Sequence, residues 1–219
     1  MPLINPSTKL SNVIMEEPTI VALLNRFGIA LGVGDKTVAQ ACAEHQIDPH
    51  FFTTLLNTFS NEEYFPEHTL SKFDTRLIVD YMSKTNAYYQ MAQLPTIERH
   101  FDLLITRSAG EKNNLELIRQ FFLEVKTELL ERISHDRQEW FPQLLNGSQT
   151  PLNGNDNGDD SIETKIDDLL HMFVIHLNGK YDLNLGQAVL LTIFALRNDI
   201  KMNNRIRNKM LKPACHAPV

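Results

Sequence analysis

Residues 115–130 read LELIRQFFLEVKTELL. Apolar side chains fall at Leu115, Ile118, Phe121, Phe122, Val125, Leu129 and Leu130. Steps of three and four make this the stripe of an amphipathic helix. The pattern runs on to Trp140, where Phe141-Pro142 ends or bends it, because a proline ring removes a backbone donor. Upstream, Leu77, Ile78, Tyr81, Met82, Tyr88, Tyr89 and Met91 give a second long helix. Pro95 then imposes a kink or restart, and the pattern resumes through Ile97, Phe101, Leu103, Leu104 and Ile105. Downstream, Ile162 to Leu177 is a third amphipathic stretch, and Leu185 to Leu196 leads into a polar helix ending near Leu211. Runs of β-branched residues with period two are absent, so the expectation is all-α, with long antiparallel helices forming a four-helix bundle over residues 71–213. Residues 146–160 are polar and rich in Asn, Gly and Asp, and are expected to be a mobile loop.

Ahead of the long helices, residues 1–65 read as a small unit of three short helices. Ile20, Val21, Leu23, Leu24 and Phe27 share a helical face, and Gly28 stops the run. Thr37 to His45 is a second helix, capped by Asp35 or Thr37. Asp48-Pro49 opens a third, carrying Phe51, Phe52, Leu55, Leu56 and Phe59. Residues 1–60 hold Lys9, Arg26 and Lys36 against Glu16, Glu17, Asp35, Glu44 and Asp48. An acidic unit without a basic recognition helix is a poor helix-turn-helix candidate.

Composition narrows the class further. The 219 residues are 42% hydrophobic and 22% charged, with a net charge of −6. That balance speaks against nucleic-acid or anionic-membrane binding, and no apolar run reaches the length of a membrane helix. Two cysteines, Cys42 and Cys215, are too few for a disulfide framework. The N-terminus lacks a basic and apolar leader pattern, so a cytoplasmic protein is expected. Walker, dinucleotide and nucleophile-elbow motifs are absent, and a role other than catalysis is expected. A basic stretch, Arg197, Lys201, Arg205, Arg207, Lys209 and Lys212 against Asp199, reads as a solvated face or as a surface for an anionic partner.

Eight histidines raise a metal hypothesis. His135 and Glu139 are four apart on one helix. His171 and His176 are five apart, which turns them about 140° from each other on an α-helix, a poor geometry for one ion. Asn153 to Glu163 resembles a calcium loop, but Thr164 stands where the bidentate Glu belongs.

These segments resemble the repair-of-iron-centres proteins, also called regulators of cell morphogenesis and NO signalling. That family joins a short N-terminal helical domain to a hemerythrin-like bundle holding two irons. Its N-terminal hallmark, a glycine-isoleucine run with paired cysteines before a Leu-Ala-Glu-Ala-Cys segment, corresponds here to 26–35 (RFGIALGVGD) followed by 38–42 (VAQAC). Gly32 and Val33 stand where the paired cysteines belong. In the bundle, Leu94-Pro95, Phe141-Pro142 and Leu211-x-Pro213 are the anchors. The resemblance then places the family's metal-ligand positions on Asn86, Arg132, Asp136, Asp159, Asn203 and Arg207.

At those positions the chemistry departs from the family. Arginine has no lone pair to give a metal and is always cationic. Asp136 and Asp159 are free instead to pair with Arg132 and Arg207 inside the bundle. The resemblance thus implies a degenerate metal site without a cofactor. It implies a regulatory or protein-interaction module in nitrosative or redox stress, with an unidentified protein partner, a homodimer being one form. The alternative is a di-iron or single-metal centre with altered ligands from His100, His135, Glu139, His171 and His176. That alternative implies iron-sulfur cluster repair or sensing of NO or oxygen.

Overall fold

A computed structural model describes residues 3–61, 63–64, 73–110, 112–146 and 158–211. Among the described residues the chain is helical, without strands; two isolated bridges, Lys9 with Thr37 and Asn113 with Gly179, are the β-type pairings. Among those residues no helix is long and apolar enough to cross a membrane. The backbone contacts divide the chain into two compact units, Met1–Thr85 with Lys209–Leu211, and a second that includes Asn86–Asn208. The change of sequence character at 65–71 precedes that division.

The first unit contains α1 (Leu10–Glu16), a 3₁₀ turn (Pro18–Ile20), α2 (Val21–Arg26), α3 (Val38–Glu44), α4 (Pro49–Ser60) and most of α5 (Thr75–Tyr88). The α1 helix was not expected from the proline punctuation; it forms because Leu10 and Val13 bury one face between Pro6 and Pro18. Of the two cap candidates for α3, Thr37 serves. Its hydroxyl accepts from the Gln40 N–H while the Gln40 side chain accepts from the Thr37 N–H, a reciprocal capping box. Asp48 accepts from the Phe51 N–H at 2.8 Å, with Pro49 behind it at a position whose N–H is not needed. Leu23, Leu24, Cys42, Phe51, Phe52, Leu55, Leu56 and Tyr81 are buried together in this unit. The Asn57 amide serves as a stand-in strand: it accepts from the Ile4 N–H at 2.7 Å and donates to the Ile4 carbonyl at 2.8 Å.

The second unit holds α6 (Leu94–Arg107), α7 (Leu115–His135), α8 (Phe141–Leu145), α9 (Gly158–His171) and α10 (Leu183–Ile206). Helix α6 packs on α7 and α10, and α9 packs on the same two. Their inward faces carry Leu94, Ile97, Phe101 and Leu104; Ile118, Phe122, Val125 and Leu129; Ile162, Ile166 and Leu169; Val189, Ile193, Leu196 and Ile200. Phe101 stacks on Phe122 at 5.4 Å between centroids. Burying one such side chain contributes about 1.5–3 kcal/mol, so this interior is the main reason the unit holds. Ion pairs tie the outer edges: Arg119 to Asp102, Lys126 to Glu98, Lys165 to Glu128 and Arg197 to Asp167.

Two helix boundaries differ from the sequence reading. Helix α9 begins at Gly158 rather than Ile162, because polar Asp and Ser residues are favourable in a first turn even where no apolar period marks them. The stretches at 185–196 and beyond are one continuous helix, opened by Asp182, whose carboxylate accepts from the Asn184 and Leu185 N–H groups.

Among the described residues there are four π turns: Tyr89–Gln93 and Asp136–Trp140 each lie between two α segments, and Met172–His176 and Arg207–Leu211 each follow one. The first two lead directly into Pro95 and Pro142, each in the opening positions of the next α segment. The Leu94 N–H bonds the Tyr89 carbonyl and the Phe141 N–H the Asp136 carbonyl, each reaching five residues back. A proline removes a donor and crowds the carbonyl four residues before it. The wider turn relieves that crowding, so both helices pass their proline.

At the end where α6 and α9 finish, the loops are fastened by asparagines. The Asn113 amide donates to the Lys180 carbonyl and the Asn114 amide to the His176 carbonyl, while the Asn178 N–H returns to the Asn114 side chain. Gly179 has φ +78°, and a Cβ there would lie 1.7 Å from the Lys112 carbonyl oxygen.

Candidate functional site

Asp136 is the first residue of the second π turn and is fully buried. A lone buried carboxylate is costly to desolvate. Arg207, the first residue of the fourth π turn, meets it with both arms. Its Nη1 lies 2.7 Å from Oδ2 and its Nη2 2.7 Å from Oδ1. The Nη1–Oδ2 contact is a charge-assisted hydrogen bond, and Nη2 adds a close ionic contact to Oδ1, for which no hydrogen-bond donor is placed among the described residues. The Asn86 amide adds a second donor, 3.0 Å from Oδ2. The guanidinium also lies 3.9 Å from the centroid of the Trp140 ring. The turn that carries Asp136 thus supplies the aromatic face on which its partner rests.

Around this pair lies a wider polar layer. The Asn203 amide donates to the Tyr89 hydroxyl at 2.9 Å and to the Asp199 carbonyl at 2.7 Å. Arg132 donates to the Asn204 side-chain oxygen at 3.0 Å, and the Asn204 amide donates to Glu163 at 2.6 Å. Five of the six positions singled out from the resemblance, Asn86, Arg132, Asp136, Asn203 and Arg207, therefore lie in this interior network. Asp159 falls in the first turn of α9, and its side chain lies outside the described residues. Gly32 and Val33 sit in the loop between α2 and α3, Gly32 with φ +88° and Val33 buried.

Two irons do not fit this donor set. Both Asp136 oxygens face a guanidinium, and the further groups placed against the pair are the Asn86 amide and the Trp140 ring. The guanidinium already balances the Asp136 charge, has no lone pair to offer a metal, and would repel a cation brought beside it.

The five residues of the alternative centre are spread out. His135 and Glu139 are exposed, with Nε2 and Oε2 3.5 Å apart. His100 is half-buried on α6. His171 and His176 are exposed at the end of α9, with ring centroids 6.0 Å apart and planes at 86°. The sequence reading put those two on different faces. The π turn between them overrides it, because i→i+5 bonding sets residues five apart over one another. Among the described residues, no three His, Cys, Asp or Glu side chains gather in a way that could hold a metal.

The remaining sequence candidates resolve as follows. The basic C-terminal stretch is not one solvated face: Arg207 turns inward to Asp136 and Arg197 pairs with Asp167, while Lys212 lies outside the described residues. Cys42 is buried, and burial, followed by the nearby Asp48 charge, pushes its thiol up to about 11, which leaves it a packing residue. The calcium-loop residues before Gly158 lie outside the described residues. Trp140, Tyr89, Asn204 and Glu163 were missed. Trp140 alone had a signal, its spacing of four from Asp136.

No protein family matches this chain, and no curated protein matches it.

Proposed function

We propose that the chain is a metal-free, hemerythrin-like relative of the iron-centre repair proteins. In this reading it joins a short N-terminal helical unit to an up-down four-helix bundle formed by α6, α7, α9 and α10. It acts by contact with a protein partner, as a regulatory module in nitrosative or redox stress. The observation that supports this most directly is the Asp136–Arg207 pair with Asn86 and Trp140 around it. An interior cation built into the chain provides the positive charge that a bound metal would otherwise bring to such carboxylates. The polar residues then satisfy one another, and the helices are held at their π turns by side chains alone.

The test is iron content and melting behaviour of the tag-free chain from iron-supplemented culture. The expected result is far less than one iron per chain, with a cooperative melt that chelator leaves unchanged. Two irons per chain with an oxo-bridge absorption band would overturn the proposal. For the contact role, the tag-free chain as bait in stressed and unstressed lysate is expected to retain one protein stoichiometrically, in a manner lost on charge reversal of exposed bundle residues.

A further inference from the structure

His171 closes α9 and His176 closes the π turn that follows it. Both side chains are exposed, and their rings are 6.0 Å apart and nearly perpendicular. The His176 backbone is fixed, since its carbonyl accepts from the Asn114 amide at 2.9 Å. We propose that this pair is a surface site for a divalent transition cation of the zinc class. The remaining coordination positions would be filled by water.

The argument is geometric and chemical. Two imidazole nitrogens at about 2.0–2.1 Å from a tetrahedral ion place the ring centroids about 5 Å apart. The rings are 6.0 Å apart now, so ordinary side-chain rotation closes the gap. Imidazole is a preferred ligand for zinc, copper and nickel, and hard ions such as magnesium or calcium prefer oxygen. On a regular α-helix, a spacing of five would prevent this; the π turn makes it available. Asp168, three residues before His171 on the same helix, is exposed and is the nearest sequence neighbour of suitable charge. Asp167 is taken by Arg197. A cation held here would tie the last turn of α9 to the loop that Asn113 and Asn114 fasten. This site is separate from the interior network, and it stands whether or not that interior holds iron.

The experiment is calorimetric titration of the chelator-treated, tag-free full chain with zinc ion alone. Wild type, His171→Gln, His176→Gln and His135→Gln are compared, and circular dichroism melts check folding. The expected result is one saturable zinc per chain, weakened at least about tenfold in either His171→Gln or His176→Gln and unchanged in His135→Gln. Zinc should also raise the melting midpoint of wild type but not of the two weakened variants, because an ion bound to the folded chain stabilises it by mass action. The absence of zinc uptake by wild type overturns the proposal. So does uptake that survives both substitutions, or uptake that follows His135 instead. Because both side chains are exposed, the variants should fold; should a glutamine variant melt early, His171→Asn and His176→Asn replace it in the same titration.

Discussion

The Arg207 guanidinium carbon lies over the Trp140 ring, 3.9 Å from its centre, while the same guanidinium donates to the Asp136 carboxylate at 2.7 Å. One arginine is thus held by both a carboxylate and an indole ring.

Breaking the pair should cost far more than removing it. Arg207→Met leaves the Asp136 carboxylate buried and without its partner, and Asp136→Leu strands the guanidinium; each should lower stability by about 3–5 kcal/mol in urea unfolding. The Asp136→Leu/Arg207→Met double variant should recover most of that loss. A double variant no better than the sum of the two singles would show that the pair is not one unit.

The indole contribution is measurable by the same logic. Trp140→Phe in the wild-type and Arg207→Met backgrounds should give a coupling of about 0.5–2 kcal/mol. Because Trp140 is the only tryptophan, its fluorescence reports the site directly. Its emission should lie to the blue in the folded chain and move to the red in step with the unfolding transition seen by circular dichroism.

Gly179 should be intolerant. Gly179→Ala meets the Lys112 carbonyl and must also hold φ +78°, so it should cost more than about 2 kcal/mol. Gly34, with φ +60° and open space around its Cβ position, should lose only about 1–2 kcal/mol as Gly34→Ala. Equal losses would mean that backbone conformation, and not the contact with Lys112, dominates at 179.

Acid should reveal the α7–α9 edge. Burial by itself pushes the Glu128 carboxyl up, but hydrogen bonds from Lys165 and Ser161 and the Lys165 and Arg132 charges outweigh it, and the group sits below its ordinary 4.5. A carboxyl lowered in the folded state contributes stability above its unfolded pKa, and that contribution fades as pH falls through the folded value. Wild type should therefore exceed Glu128→Gln in stability near neutral pH, with the gap closing in acid. A gap that persists at pH 2 would sink this account.

Much of the helical layout was legible because burial writes a period into the chain. Leu115 to Leu130 and Ile97 to Ile105 announced their helices, and Asp48-Pro49 and Thr37 announced their caps. The start of α9 was not legible, since Gly158-Asp159-Asp160 carries no apolar period. The interior positions Asn86, Asp136, Asn203 and Arg207 came from Leu-Pro, Phe-Pro and Leu-x-Pro anchors, not from any local pattern, because a buried polar network has no period of its own. The spacing of His171 and His176 misled, because residue counting assumes 3.6 residues per turn and nothing in Met172 to Ile175 declares a wider one.

Each π turn holds one residue more than the α turn it replaces. The helix beyond Gln93 and beyond Trp140 is thereby swung by about 100° around its own axis relative to an uninterrupted helix. The helices of this protein are consequently spliced rods. Trimming one residue from within a splice should straighten the rod locally while rotating all that follows out of the core, a lesion more disruptive than most substitutions at the same place. Any counterpart of this chain should likewise be lined up from its prolines, not by counting from either end.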